Sequence, residues 1–278
     1  MSNLVEKISA IILKSIDDDS LVLPTMPEMA LRVREVADDP NASIKQLAGI
    51  IGQDAALAAR IIKVANSAIY RGAKVIEDLN MALSRLGMST TCALATGLAM
   101  EQMFQATSDL VDRRLRLVWN QSAEIAGICT VLCKFKTKLK PDEAALAGLV
   151  HQIGVLPILS YAEDHPALLR DSFTLESVIA QAHPHIGARI LTVWGFPAAI
   201  QQVPLQYLDF TRVAPKADYA DLVTVGFLQS LDANNIHYQD LDYSTVTAFD
   251  RLGLDWDIDN AEAEDLSEAM ASATNMLK

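Results

Sequence analysis

Apolar residues recur at spacings of three and four along almost the whole chain, and period-two alternation never lasts beyond a few positions, so the pattern predicts an all-α protein. In EMALRVREVADD the apolar positions Met29, Val33 and Val36 share one helix face, with Pro27 at the first turn and Pro40 just past the end. Ser43 and Gln46 form a capping-box pattern, in which each side chain satisfies an orphan backbone donor of the first turn; it opens a helix through Ile51 that stops at Gly52. Asp54 is the natural cap of a third helix, DAALAARIIKVANSAIY, whose stripe is Leu57, Ile61, Val64 and Ile69. Further helices are predicted near 78–86, 89–104, 110–135, 142–153, 155–162, 174–193, 197–208, 216–232 and 260–276. Gly87 and Gly195 stand where helices stop, Pro141 where one starts and Pro157 near the first turn of another. Two polar stretches, QATSDLVD around 105–112 and DANNIHYQDLDYS at 232–244, divide this pattern into an N-terminal helical bundle (1–105), a second bundle (106–232) and an acidic, partly helical C-terminal extension (233–278).

Composition supports a folded chain: of 278 residues 51% are apolar, with only 12 Gly and 10 Pro. The net charge of -12 is unevenly placed. Residues 217–278 carry 13 acidic side chains against Arg251 and Lys278, whereas residues 1–216 nearly balance, at 22 acidic and 21 basic. Such a surface repels nucleic-acid phosphates and anionic lipid, so neither a nucleic acid nor a membrane is expected as partner. No uninterrupted apolar stretch reaches the roughly 20 residues of a bilayer span, since Thr96, Glu101 and Gln102 interrupt even the segment around ALATGLAM. The N-terminal MSNLVEKISAIILKSIDDD has acidic residues inside an amphipathic pattern and lacks the basic start and cleavage site of a signal peptide. A cytoplasmic location follows as the expectation, with Cys92, Cys129 and Cys133 as reduced thiols.

Candidate chemistry is sparse. His151 lies near the end of an apolar helix in ALAGLVHQIG, where an imidazole can face a metal or a phosphate, or be a satisfied core group. His183 and His185 flank Pro184 in AHPHIGARIL, at a helix start. Asp221 is a single carboxylate on the apolar run ADYADLVTVGFLQ, suited to a cap, a surface role or a ligand. A hydrolytic metal site needs several such groups to converge, and no Ser-His-Asp arrangement, phosphate-cradling loop or dinucleotide fingerprint is present. Cys129 and Cys133 share a helix face at i, i+4 and read as buried apolar thiols. The segment ASIKQLAGIIGQDAALAARIIKVANS also fits a helix-turn-helix, with Arg60, Lys63, Arg71 and Lys74 as a basic edge. Against a DNA-binding regulator stand the apolar second helix and the acidity of the whole chain.

Read together, LPTMPEMALRV (23–33), DPNASIKQLAGIIGQDAALAARIIKVANSAIY (39–70), ALSRLGM (82–88), AALAGLVHQIG (144–154) and AHPHIGARILTVWGFPAAI (182–200) resemble the HDOD family over most of the chain, from about Leu23 to about Leu231. The resemblance implies a helical N-terminal bundle followed by one like that of HD-domain phosphohydrolases, which hold divalent metal with a first His, a His-Asp pair, further His residues and a late Asp. At those places this chain has Gln121, then His151-Gln152, then His183, with Gln206-Tyr207 where a His pair would come and Asp221 as the late carboxylate. Two ligand types are thus replaced by Gln, leaving His151, His183 and Asp221 as vestigial metal candidates and no cofactor or catalytic residue expected. The resemblance then implies a non-catalytic regulatory protein that binds signalling proteins or a small molecule in a pocket of Gln121, His151, Gln152 and His183. A weak metal-dependent phosphohydrolase and a DNA-binding regulator are the alternatives.

Overall fold

The computed structural model describes residues 2–18, 24–70, 72, 74–231, 238, 240–255, 269–271, 273–274 and 276–277, and among them helices are the only regular structure. The first half comprises α1 (Ser2–Asp17), α2 (Glu28–Asp38), α3 (Ile44–Ile51), α4 (Ala55–Ala65), α5 (Leu79–Leu86) and α6 (Met88–Ala99), with a 3-10 turn at Met100–Met103. The second half begins with the long α7 (Asp109–Lys136) and continues through α8 (Pro141–Val150), α9 (Val155–Glu163), α10 (Pro166–Arg170) and α11 (Ser172–Val193). It ends in the short α12 (Ala198–Gln201) and α13 (Val203–Gln206), α14 (Tyr219–Gln229) and α15 (Thr247–Leu252).

Most boundaries follow local chemistry. Ser43 and Gln46 close the capping box on α3, and the Asp54 and Asp78 carboxylates accept from the third backbone N–H of α4 and α5. The expected third helix is shorter than its pattern. It stops at Ala65 because the Asn66 side chain turns to the backbone of Ile76, donating to the carbonyl at 2.7 Å and accepting from the N–H at 2.9 Å. The single helix expected over 197–208 is two short ones, the second carrying Pro204 in its first turn. Conversely, α11 runs straight through Pro184, so His183 and His185 sit mid-helix rather than at a helix start. Pro184 has no N–H for the carbonyl four residues back, and the buried face of Val178, Ala182, Ile186 and Ile190 holds the helix together across that gap. The helix expected at 260–276 lies largely outside the described residues.

Packing crosses the residue-105 joint. Helix α1 lies on α11, and α6 packs against both α2 and α8. Arg34 of α2 donates to the carbonyls of Trp194 and Gly195, the latter at 2.8 Å, with its guanidinium 4.9 Å from the Phe196 ring centroid. The pair α7 and α8 forms the centre, and the helical stretch Pro141–Glu163 is apolar and long enough to cross a bilayer by composition, yet 89% of its most apolar window is buried inside the protein. Its hydropathy is that of a core element. The second helix of the helix-turn-helix candidate is committed inward as well: Leu57, Ile61 and Val64 are buried, and Arg60 pairs with Glu101, donates to the Leu277 carbonyl and lies over Trp119.

Candidate functional site

Two close helix approaches create the site. The His151–Gly154 turn joins α8 to α9 between α7 and α11. A Cβ at Gly148 would run into the backbone of Ala126 on α7, and one at Gly154 would run into the His183 carbonyl on α11. Only glycine permits both contacts, so the glycines flanking His151 and Gln152 bring those side chains to Gln121 on one side and His183 on the other.

His151 is fully buried. Its Nδ1 lies 2.7 Å from the Gly148 carbonyl; that oxygen can only accept, so Nδ1 carries the proton and Nε2 keeps a lone pair, with no hydrogen-bond partner. His183 is 3% exposed, with Nε2 3.1 Å from the Tyr207 hydroxyl. The other ring nitrogen of His183, Nδ1, has no hydrogen-bond partner. Burial pushes His151 down to about 4, against a smaller opposing pull from the Gly148 carbonyl. Burial, and secondarily the neighbouring His151, pushes His183 down to about 3. Burial drives the Tyr207 phenol well above its ordinary value. All three groups are therefore neutral near pH 7.

The amides continue the network outward. Gln152 Nε2 donates to Gln121 Oε1 at 3.4 Å, Gln121 Nε2 to Ser230 Oγ at 3.2 Å, and Ser230 Oγ to the Phe227 carbonyl at 2.8 Å. Gln121, Gln152 and His183 line one cleft of about 760 Å³ between α7, α9 and α11; His151 does not line it and stands edge-on against the Tyr207 ring, centroids 4.9 Å apart.

Asp221 is not part of this cluster. Its carboxylate accepts from Arg212 Nη2 and Arg251 Nη2, both at 2.6 Å, from Arg251 Nε at 3.0 Å, and from the Asp218 backbone N–H at 3.1 Å, completing the capping box of α14. The vestigial-ligand expectation for Asp221 is thus corrected: two guanidiniums use the carboxylate as a structural node. Tyr207 is the residue whose role spacing did not reveal, although it fills one of the positions where a His pair would come.

The donor set does not fit a divalent metal. His183 Nε2 is taken up by the Tyr207 hydroxyl, and His151 Nε2 keeps a lone pair with no hydrogen-bond partner. Among the described residues no three His, Cys, Asp or Glu side chains are grouped to hold an ion. Cys129 and Cys133 are buried free thiols, both pushed up by burial and so far from the thiolate that binds metal.

The HDOD domain family model matches residues 23–207. A crystal structure from Shewanella amazonensis, described as "Putative metal-dependent phosphohydrolase", is 33% identical, each chain covered at 100%, with a TM-score of 0.85. One from Marinobacter aquaeolei, described as a "Putative signal transduction protein", shares the fold at 24% identity and a TM-score of 0.60, covering 94% of this chain and 61% of that one. A relative from Treponema pallidum of uncharacterized function is 24% identical over 208 residues; the match takes in 70% of this chain and 38% of that protein's length.

Proposed function

The chain belongs to the HDOD family, and from that premise we propose that it is a regulatory protein that works by binding, with no phosphohydrolase activity of its own. The observation that carries this reading is the Tyr207 hydroxyl on His183 Nε2, with the Gln121 and Gln152 amides at the neighbouring positions. A phosphohydrolase of the HD type activates water on a metal held by imidazoles and carboxylates. Here the phenol occupies the His183 Nε2 that a metal would need, and neutral amides supply no charge to a dication. Signalling proteins and a small molecule are the partners of this reading, in a bacterial cytoplasm where Cys92, Cys129 and Cys133 remain thiols.

The test is metal analysis of the purified full chain, followed by a phosphatase and phosphodiesterase screen with added magnesium, manganese, zinc and nickel. The expected outcome is no stoichiometric metal and no turnover. About one equivalent of metal together with turnover lost in His151→Ala would establish the weak phosphohydrolase instead.

A further inference from the structure

The end of α7 and the loop after it, KFKTKLK (134–140), hold four lysines and no acid in a chain whose net charge is -12. Most of this charge is not cancelled locally. Lys140 pairs with Glu143 at 2.8 Å, Glu143 also accepts from the Tyr219 hydroxyl, and the neighbouring Asp142 is buried against Ser89. Lys134 Nζ donates to the Ile69 carbonyl at 3.2 Å and stands 3.9 Å from the Tyr70 ring centroid, and neither group carries a full negative charge. Among the described residues Lys136 and Lys138 make no ion pair. Cations in the last turn of a helix offset its dipole, which accounts for Lys134 and Lys136. It accounts neither for Lys138, past the helix end, nor for Phe135.

Phe135 is 65% exposed, and with Lys134 it lines an apolar cavity of about 280 Å³ whose other walls are Ala68, Ile69, Val131 and Ala269. That volume falls below the range of about 300–1,000 Å³ usual for small-molecule pockets, and it admits a single apolar side chain. Lys136 and Lys138 follow Phe135 by one and three residues, within ~11 Å of extended chain. An occupant therefore has to bring an apolar anchor with negative charge beside it. A bilayer or a nucleic-acid backbone offers no protruding apolar side chain, and as an extended polyanion it would run on from the lysines over an otherwise acidic molecule. A short acidic protein segment meets the lysines within a Debye length, about 8 Å at physiological salt, and leaves the remaining surface untouched.

We propose that the C-terminal end of α7 docks an acidic protein segment that inserts one apolar side chain beside Phe135 and sets its carboxylates against Lys134, Lys136 and Lys138. The inference goes beyond the non-hydrolytic reading by giving the chemistry of a protein partner. The surface lies about 20 Å along α7 from Gln121, so peptide binding decides it whatever a phosphohydrolase screen returns.

Fluorescence polarisation with the full chain tests it, using a short labelled polyglutamate peptide with one central phenylalanine and the same peptide with alanine at that place. The phenylalanine peptide binds saturably at low salt and more weakly as salt is raised. The alanine peptide binds about tenfold or more weakly, as does the phenylalanine peptide to Phe135→Ala protein. Lys136→Glu combined with Lys138→Glu abolishes binding, whereas Lys45→Glu, on the exposed face of α3, leaves it unchanged. These side chains lie outside the core, and circular dichroism confirms that each variant is folded. The proposal is overturned if the phenylalanine peptide does not bind, if the alanine peptide binds equally well, or if binding survives the double lysine exchange. Tighter binding of oligothymidylate or of phosphatidylserine vesicles, with the same lysine dependence, overturns it in favour of a polyanion. A dimer in sedimentation velocity that the double exchange dissociates overturns it in favour of a second copy of this chain.

Discussion

The Tyr207 hydroxyl is the hydrogen-bond partner of the buried His183 Nε2. Tyr207→Phe leaves that nitrogen desolvated and unpaired, which costs about 1–3 kcal/mol; urea unfolding of the two proteins measures it, and an unchanged midpoint would show that the bond contributes nothing. The two imidazoles also make stability depend on pH. Their folded values, about 4 for His151 and about 3 for His183, lie below the roughly 6.5 of an unfolded histidine. The unfolded chain therefore binds protons first. Their contribution is fully present above pH ~6.5 and is lost progressively as pH falls toward the folded values. Tm is expected to drop between pH 7 and 4.5, and the drop to be shallower in His183→Gln. Equal slopes in the two proteins would refute the assignment.

At the scale of helices, the site depends on how closely α8 and the turn after it approach α7 and α11. Gly148→Ala places a methyl group against the Ala126 backbone, which cannot move without shifting α7. Overpacking of this kind costs about 1–3 kcal/mol. A thermal melt should show the loss, and the amide of Gln152 should shift in the NMR spectrum as its bond to Gln121 lengthens. A fully wild-type melt would mean that the helices have room to separate. Pro184 illustrates the opposite balance: a residue that normally breaks a helix is carried inside α11 because that helix has a buried face on either side of the proline.

At the scale of the molecule, the helices on the two sides of residue 105 share buried surface. Helix α1 rests on α11, α6 on α8, and Arg34 bridges to the end of α11. The described C-terminal residues Ala273, Met276 and Leu277 are buried in the same core. Such continuity predicts one cooperative unfolding transition, with far-UV circular dichroism and tryptophan fluorescence coincident in urea. Two separated transitions would show that the halves unfold independently.

The amino-acid sequence by itself determined the all-α class, the caps at Ser43 and Asp54 and the stops at Gly87 and Gly195, because each is a contact between residues a few positions apart. It also marked Gln121, Gln152 and His183 through the family resemblance, and the structure brings these three to one cleft. Tertiary structure decided the rest. Asn66 ends α4 through a backbone ten residues away, Asp221 is taken by Arg251 from thirty residues away, and Tyr207 reaches His183 across twenty-four. No periodicity encodes such pairings. Whether a histidine nitrogen is a metal ligand or a hydrogen-bonding group depends on which side chain the fold sets against it, and here that side chain is a phenol.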